Sequence, residues 1–191
     1  MLAVSMCKKL LVISDTHGYA SPLFSVLKWA KGVSPDAAVF LGDGLSGLEQ
    51  AAAVAGFSCP WYKARGNNDF GVPCQEVVVF DFGGRRFFAC HGHRYGLHNG
   101  TETLVGMARH YGADVALFGH THVPFLEEDG GLLLVNPGSV GSPRCEKGAT
   151  FALIECPSGE PPKAGFWGIG ADGKVAAVSA FGGREAMARE A

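Results

Sequence analysis

Five short apolar runs in this chain each end in residue types that bind metals or move protons. LLVIS at 10–14 runs into Asp15-Thr16-His17-Gly18, and DAAVFL at 36–41 runs into Gly42-Asp43-Gly44. WYKA at 61–64 leads to Arg65-Gly66-Asn67-Asn68-Asp69, and RRFFAC at 85–90 leads to His91-Gly92-His93. DVALF at 114–118 ends in Gly119-His120-Thr121-His122. Each has an ordinary reading when taken alone. Asp15 could cap a helix, Asn67-Asn68 could form a left-handed turn, and a lone His91 or His93 is more often structural. Together they read differently, because five of the seven histidines fall in these loops. Imidazoles and carboxylates converging from separate strand ends are what a metal centre requires.

Asp15, His17, Asp43, Asn67, His91, His120 and His122 make seven donors, too many for one four- to six-coordinate ion. Two ions sharing a carboxylate fit that number. A metal pair ~3.5–4 Å apart can hold a hydroxide between its members and clamp a phosphoryl group for in-line displacement. Imidazole with carboxylate and amide oxygens suits Mn²⁺, Zn²⁺, Fe²⁺ or Ni²⁺, and Mn²⁺ is the first expectation. The six cysteines (Cys7, Cys59, Cys74, Cys90, Cys145, Cys156) form no C-x-x-C and offer no thiolate cluster.

In an open α/β sheet, a site lies beyond the carboxyl ends of the strands. The intervening elements must bring those ends together. Residues 22–33 read as a helix with Ser21 as N-cap and Pro22 in its first position. Residues 48–55 read as a second helix stopped by Gly56. With strands at 10–14, 36–41 and 61–64, this order predicts a parallel α/β sheet. The pattern then changes. Runs at 75–82 and 85–90 meet at Gly83-Gly84, a hairpin signal. Residues 101–111 read as a capped helix closed by Gly112, and 114–118 as another buried strand. Strand-like runs at 132–135, 150–156, 164–169 and 175–181 follow, so the second half is expected to form a mostly antiparallel sheet with one helix. No linker or repeat interrupts the chain, and residues 1–191 are expected to form a single domain. The fold class is α/β (α+β), with two packed mixed β-sheets and helices outside.

Composition narrows the function. Of 191 residues, 47% are hydrophobic and 18% charged, which argues against disorder. Sixteen Lys and Arg against 18 Asp and Glu give a net charge of −2, so neither nucleic acid nor an anionic membrane is an expected partner. No apolar run approaches the ~20 residues of a membrane span. The scattered cysteines read as reduced thiols, which points to a cytoplasmic protein. Met6 offers an alternative start, which would make residues 1–5 a disordered extension.

The ordered set Asp15-x-His17, Gly42-Asp43, Gly66-Asn67, His91 and Gly119-His120-x-His122 resembles the calcineurin-like metallophosphoesterase superfamily. SDTHG, RGNND, HGHRYG, GADVALFGHTH and NPGSV add to the likeness, which spans residues 10–141. Within the superfamily it is most similar to YfcE-type phosphodiesterases, whose eukaryotic relative is the retromer subunit Vps29. The resemblance implies a four-layer α/β/β/α sandwich and hydrolysis of a small phosphodiester or nucleotide-like ester. It also implies that Asp15, His17 and His122 hold one metal, that Asn67, His91 and His120 hold a second, and that Asp43 bridges both. The turn at 136–139 would support the site structurally.

One position departs from the family pattern. Many members carry a histidine where Asn68 stands, and that histidine protonates the leaving group or contacts the phosphate. An amide donates a hydrogen bond but is no general acid. Asn68 is therefore expected to touch substrate without supplying a proton, with His93 as a partial substitute. Alternatives are a phosphomonoesterase or nucleotidase on the same site, or a non-catalytic scaffold like Vps29. The match of residues 42–47 to G-x-G-x-x-G also suggests a nucleotide-binding oxidoreductase, but the loop follows the second strand rather than the first and leaves the histidines unexplained. Glycine- and alanine-rich hairpins near the C-terminus could pair with a second copy.

Overall fold

A computed structural model describes residues 7–178. The alternative start and extension at 1–5, and the last part of the 175–181 run, lie outside the described residues. In chain order the elements are β1 (Lys8–Ile13), α1 (Ala20–Val33), β2 (Ala37–Phe40), α2 (Leu45–Ala55) and β3 (Trp61–Lys63). There follow β4 (Val77–Phe82), β5 (Arg85–Cys90), α3 (Glu102–His110), β6 (Val115–Leu117), β7 (Pro124–Asp129) and β8 (Leu132–Pro137). The last elements among the described residues are β9 (Thr150–Cys156), β10 (Lys163–Ile169) and β11 (Val175–Val178).

These strands form a six-stranded sheet in the order β11-β10-β9-β1-β2-β3 and a five-stranded sheet in the order β4-β5-β6-β8-β7. In the first, β1, β2 and β3 run parallel, and β9 joins the other side of β1 antiparallel. In the second, β5, β6 and β8 run parallel between antiparallel edge strands. Both sheets are mixed, as expected.

Strand alternation builds the layers. Leu11 and Ile13 of β1 face α1 and α2, packing with Leu23, Leu27 and Leu48. Leu10 and Val12 face the other sheet, where they meet Phe87, Val115 and Val135. On the far side Phe88 and Ala116 pack against Leu104 and Ala108 of α3. Three apolar seams between four layers result, which is why the central strands read as unbroken hydrophobic runs.

Several local expectations needed correction. The second half is divided, because β4–β8 form the five-stranded sheet with a parallel rather than antiparallel centre, while β9, β10 and β11 complete the first sheet. Strand β7 was not anticipated. Its sequence PFLEED begins with proline and ends in three acids, all disfavoured in strands, and it is tolerated because β7 is an edge. Helix α1 begins at Ala20 with Tyr19 as N-cap, so Ser21 and Pro22 lie inside its first turn. Helix α2 begins at Leu45, three residues early, because a carboxylate outside the helix caps it. Thr101 stands at the N-cap of α3 but makes no capping bond from its side chain. The hairpin at Gly83-Gly84 is as expected: φ is +58° and +76°, the pair of left-handed residues a type I′ turn needs.

Candidate metal centre

The carboxyl ends of β1, β2, β3, β5 and β6 all open towards one face, and the loops there are tightly tied. The Asp15 N–H donates to the Gly42 carbonyl at 3.0 Å and the His17 N–H to the Asp43 carbonyl at 2.8 Å. Gly141 donates to the Asp15 carbonyl at 3.0 Å. Close approach requires glycine at several points, two of them beside the Asp15 and Asp43 segments. A Cβ on Gly119 would overlap Ser14 Oγ, and one on Gly66 would overlap the Asp43 carboxylate. The backbone at the site is itself unusual. Only six non-glycine residues among those described have positive φ, and five are Asp15 (+56°), His17 (+48°), Asp43 (+59°), His120 (+70°) and His122 (+63°). Left-handed backbone at aspartate and histidine is retained when the surroundings impose it, and such residues cluster at functional sites.

Two groups of donors converge among the described residues: Asp15 with His17 and His122, and Asp15 with Asp43 and His91. His122 Nε2 lies 3.1 Å from Asp15 Oδ1 and 3.1 Å from His17 Nε2. His91 Nε2 lies 3.5 Å from Asp43 Oδ2 and 3.9 Å from Asp15 Oδ1. His17 Nε2 reaches Asp43 Oδ2 at 3.9 Å, so that oxygen stands between His17 and His91. His120 lies further out, its ring centroid 5.2 Å from that of His91, while its N–H donates to Asp15 Oδ2 at 3.1 Å. Asn67 is at the exposed rim and lines an adjoining groove. Asn68 turns inward, its N–H donating to Asp43 Oδ1 at 2.8 Å and its amide to Oδ2 at 2.5 Å. His93 lies beyond His91, the two rings tilted by 47° with centroids 5.6 Å apart.

The hydrogen bonds fix which atoms face inward. His91 Nδ1 sits 2.7 Å from the Leu41 carbonyl and His122 Nδ1 sits 2.5 Å from the Ser142 carbonyl. Only an N–H can face a carbonyl, so this assignment leaves both Nε2 atoms as bare lone pairs towards the carboxylates. His91 Nε2 and Asp15 Oδ1 are buried with no hydrogen-bond partner. Lone pairs facing lone pairs at these distances call for positive charge between them, and a divalent cation fits that need. The donor set of carboxylate oxygens and imidazole nitrogens suits it. Neighbouring Cys90 is buried, and burial pushes its thiol well up, so it offers no competing thiolate.

Proton affinities show the same demand for positive charge, which protons on the imidazoles would meet in place of a cation. Burial alone would raise Asp15, but His122, His17 and His91 beside it hold it well below the usual carboxylate range. Burial opposes Asp43 likewise, and His91 followed by Asn68 brings it down to about 2. His17 is raised by its hydrogen bond to Asp15; His91 is raised by Asp43 and Asp15 despite burial. Burial and the charge of His91 lower His120 to about 4 and also lower His93. Positive charge is thus drawn to the floor of the site and excluded from its rim.

Two participants escaped the sequence analysis. Asp69 is buried, and its carboxylate accepts four backbone N–H groups, those of Asp43, Gly44, Leu45 and Gly66, at 2.8–2.9 Å. It caps α2 and locks the Asp43 loop to the Gly66 loop. Its place in RGNND was its only sequence signal. His98 lies in a short 3₁₀ turn, its ring centroid 6.1 Å from that of His120, with no motif to mark it. Asn136 supports the site as expected: its amide donates to the Gly119 carbonyl and Thr121 Oγ1.

Comparison with known proteins accords with this geometry. Residues 9–159 match the calcineurin-like phosphoesterase superfamily domain. A probable metallophosphoesterase of Mycoplasma pneumoniae is 35% identical over 139 residues, covering 71% of this chain and 81% of the relative. The phosphodiesterase YfcE of Escherichia coli K12 is 29% identical over 171 residues, covering 77% of this chain and 87% of its own. Vacuolar protein sorting 29 of Cryptosporidium parvum shares the fold, with a TM-score of 0.73 and 20% identity over 90% of this chain and 96% of its own. With five strand ends delivering the motif residues to one face, the chain belongs to the calcineurin-like phosphoesterase superfamily, and its metallophosphoesterase relatives support a metal-dependent phosphoesterase.

Proposed function

We propose that this protein is a phosphodiesterase working with two divalent cations, Mn²⁺ first among them, held by Asp15, His17, Asp43, Asn67, His91, His120 and His122. The observation that carries this reading is the pair of buried, unpartnered atoms, Asp15 Oδ1 and His91 Nε2, aimed at a common focus beyond the strand ends. When bound, such cations supply Lewis-acid stabilisation of phosphoryl charge and acidify water. The chain's own residues do the rest. Asp43 stands between His17 and His91, placed to serve both halves of the centre. The Leu41 and Ser142 carbonyls hold His91 and His122 in the tautomer that offers Nε2. Burial lowers the proton affinity of the rim histidines His93 and His120, where substrate oxygens would arrive.

Asn68 sets the preference. Its amide donates to Asp43 and has no proton to give a departing oxygen. A missing general acid matters most for strongly basic leaving groups and typically withholds ~10²–10⁴-fold. Esters with good leaving groups, such as aryl phosphodiesters, should therefore react faster than alkyl monoesters. Asn68→His should raise monoester relative to diester hydrolysis.

The test is metal analysis of purified protein followed by hydrolysis of bis(p-nitrophenyl) phosphate with added Mn²⁺. We expect bound divalent metal, activity lost to a chelator and activity restored by Mn²⁺. Protein that neither binds metal nor hydrolyses any phosphoester would instead be a scaffold.

A further inference from the structure

We propose that the groove beside the metal centre binds the nucleobase of a phosphoester substrate, with Phe70 as its stacking surface. This deepens the phosphodiesterase reading above and rests on it. The groove encloses about 340 Å³ and is lined by Asn67, Phe70, His93 and Arg94, among others. That volume lies in the range of small-molecule sites. It adjoins the centre directly, since the His93 ring that walls it is 5.6 Å from His91, centroid to centroid.

Phe70 is 84% exposed, the most exposed large apolar side chain among the described residues. A single exposed apolar residue is ordinary on a flat surface. This one lines a concavity, and the chain on either side of it is fixed. Asp69 before it is held by four N–H groups. Val72 after it packs against the helix-side core and donates to the Asp69 carbonyl. A ring held in water on a tethered loop is already organised for stacking, so little ordering is left for the moment of binding.

The rest of the groove favours a base over a plain aryl ring. Glu76 accepts from Arg65 at 2.7 Å and from Arg94 at 2.5 and 2.9 Å, so two cations share one carboxylate. Arg65 and Arg94 balance the carboxylates of Glu76 and Asp69, so the groove carries no net negative charge to repel an anionic ester. Arg94 is 67% exposed and spends only part of its five-donor fork on Glu76. The remaining N–H groups can meet ring nitrogens and carbonyl oxygens, which nucleobases carry and simple aryl groups lack.

The experiment compares thymidine 5′-(p-nitrophenyl phosphate) with methyl p-nitrophenyl phosphate, two diesters with the same leaving group. Wild type should prefer the thymidine ester. Phe70→Ala should lower the ratio of the two kcat/KM values about tenfold, chiefly through KM, and Phe70→Trp should keep it. An unchanged ratio in Phe70→Ala overturns the proposal. Calorimetry with adenosine 5′-monophosphate against ribose 5-phosphate gives a readout independent of turnover. Base-dependent affinity that is lost in Phe70→Ala upholds the groove, and binding indifferent to the base overturns it. If the protein hydrolyses neither ester, the phosphodiesterase reading falls and the calorimetry alone decides the groove.

Discussion

The strand ends of the six-stranded sheet deliver oxygen donors, Asp15 after β1 and Asp43 after β2 to the centre and Asn67 after β3 to its rim. Those of the five-stranded sheet deliver nitrogen: His91 after β5, then His120 and His122 after β6. Only His17 crosses that division. Neither sheet can assemble the donor set alone, so the site depends on how the two are seated together. The seating is visible in bonds across the seam, such as His91 to the Leu41 carbonyl and the His120 N–H to Asp15.

The strongest way to break the comparison is to remove one donor from each sheet. Asp43→Ala and His91→Ala should each drop Mn²⁺-dependent hydrolysis to background and lower metal content on elemental analysis. Full metal content in either variant would mean that one sheet suffices. Next comes the seam. Gly119→Ala would drive a methyl group into Ser14 Oγ and to 2.8 Å from Asp15 Oδ2. Thermal melts should show a loss of about 1–3 kcal/mol. Gly47, the last glycine of the nucleotide-like loop, has nothing within 4 Å of such a methyl. Gly47→Ala should therefore be neutral or slightly stabilising.

A subtler variant tests the oxygen-bearing sheet alone. Asp69→Asn loses the charge that gathers four N–H groups around the Asp43 loop. It should weaken metal affinity about 10–100-fold without removing a ligand, as measured by competition with a chelator. The smallest expected effect is at the groove. Arg94 first and Arg65 second hold Glu76 down to about 2, below its ordinary 4.5. A depressed carboxyl stabilises the fold above its unfolded value and loses that contribution as pH falls through the folded one. Stability should therefore decline between pH 4.5 and about 2, and Glu76→Gln should flatten that limb of a denaturation series.

The sequence made the strand-end motifs legible because each needs only a short apolar run and a following residue type. The layering was legible for a related reason, since central strands buried on both faces read as unbroken apolar runs. What escaped depends on partners distant in sequence. Strand β7 carries acids that only an edge position tolerates. Helix α2 starts at Leu45, although Gly44 and Gly47 argue against it, because Asp69 caps it from 24 residues away. His98 reaches His120 through a turn that no periodicity marks. The inward turn of Asn68 onto Asp43 is likewise a matter of tertiary contact, and spacing alone suggested only a substrate-facing amide.

The left-handed backbone at Asp15, His17, Asp43, His120 and His122 sets stability and function against each other. Such conformations cost on the order of 1–3 kcal/mol each, somewhat less for aspartate. Five together approach the ~5–15 kcal/mol by which a whole domain usually stays folded. Glycine would relieve that strain at any of them and take away the chemistry in the same step. Substituting glycine at any of these five positions would therefore trade activity for stability.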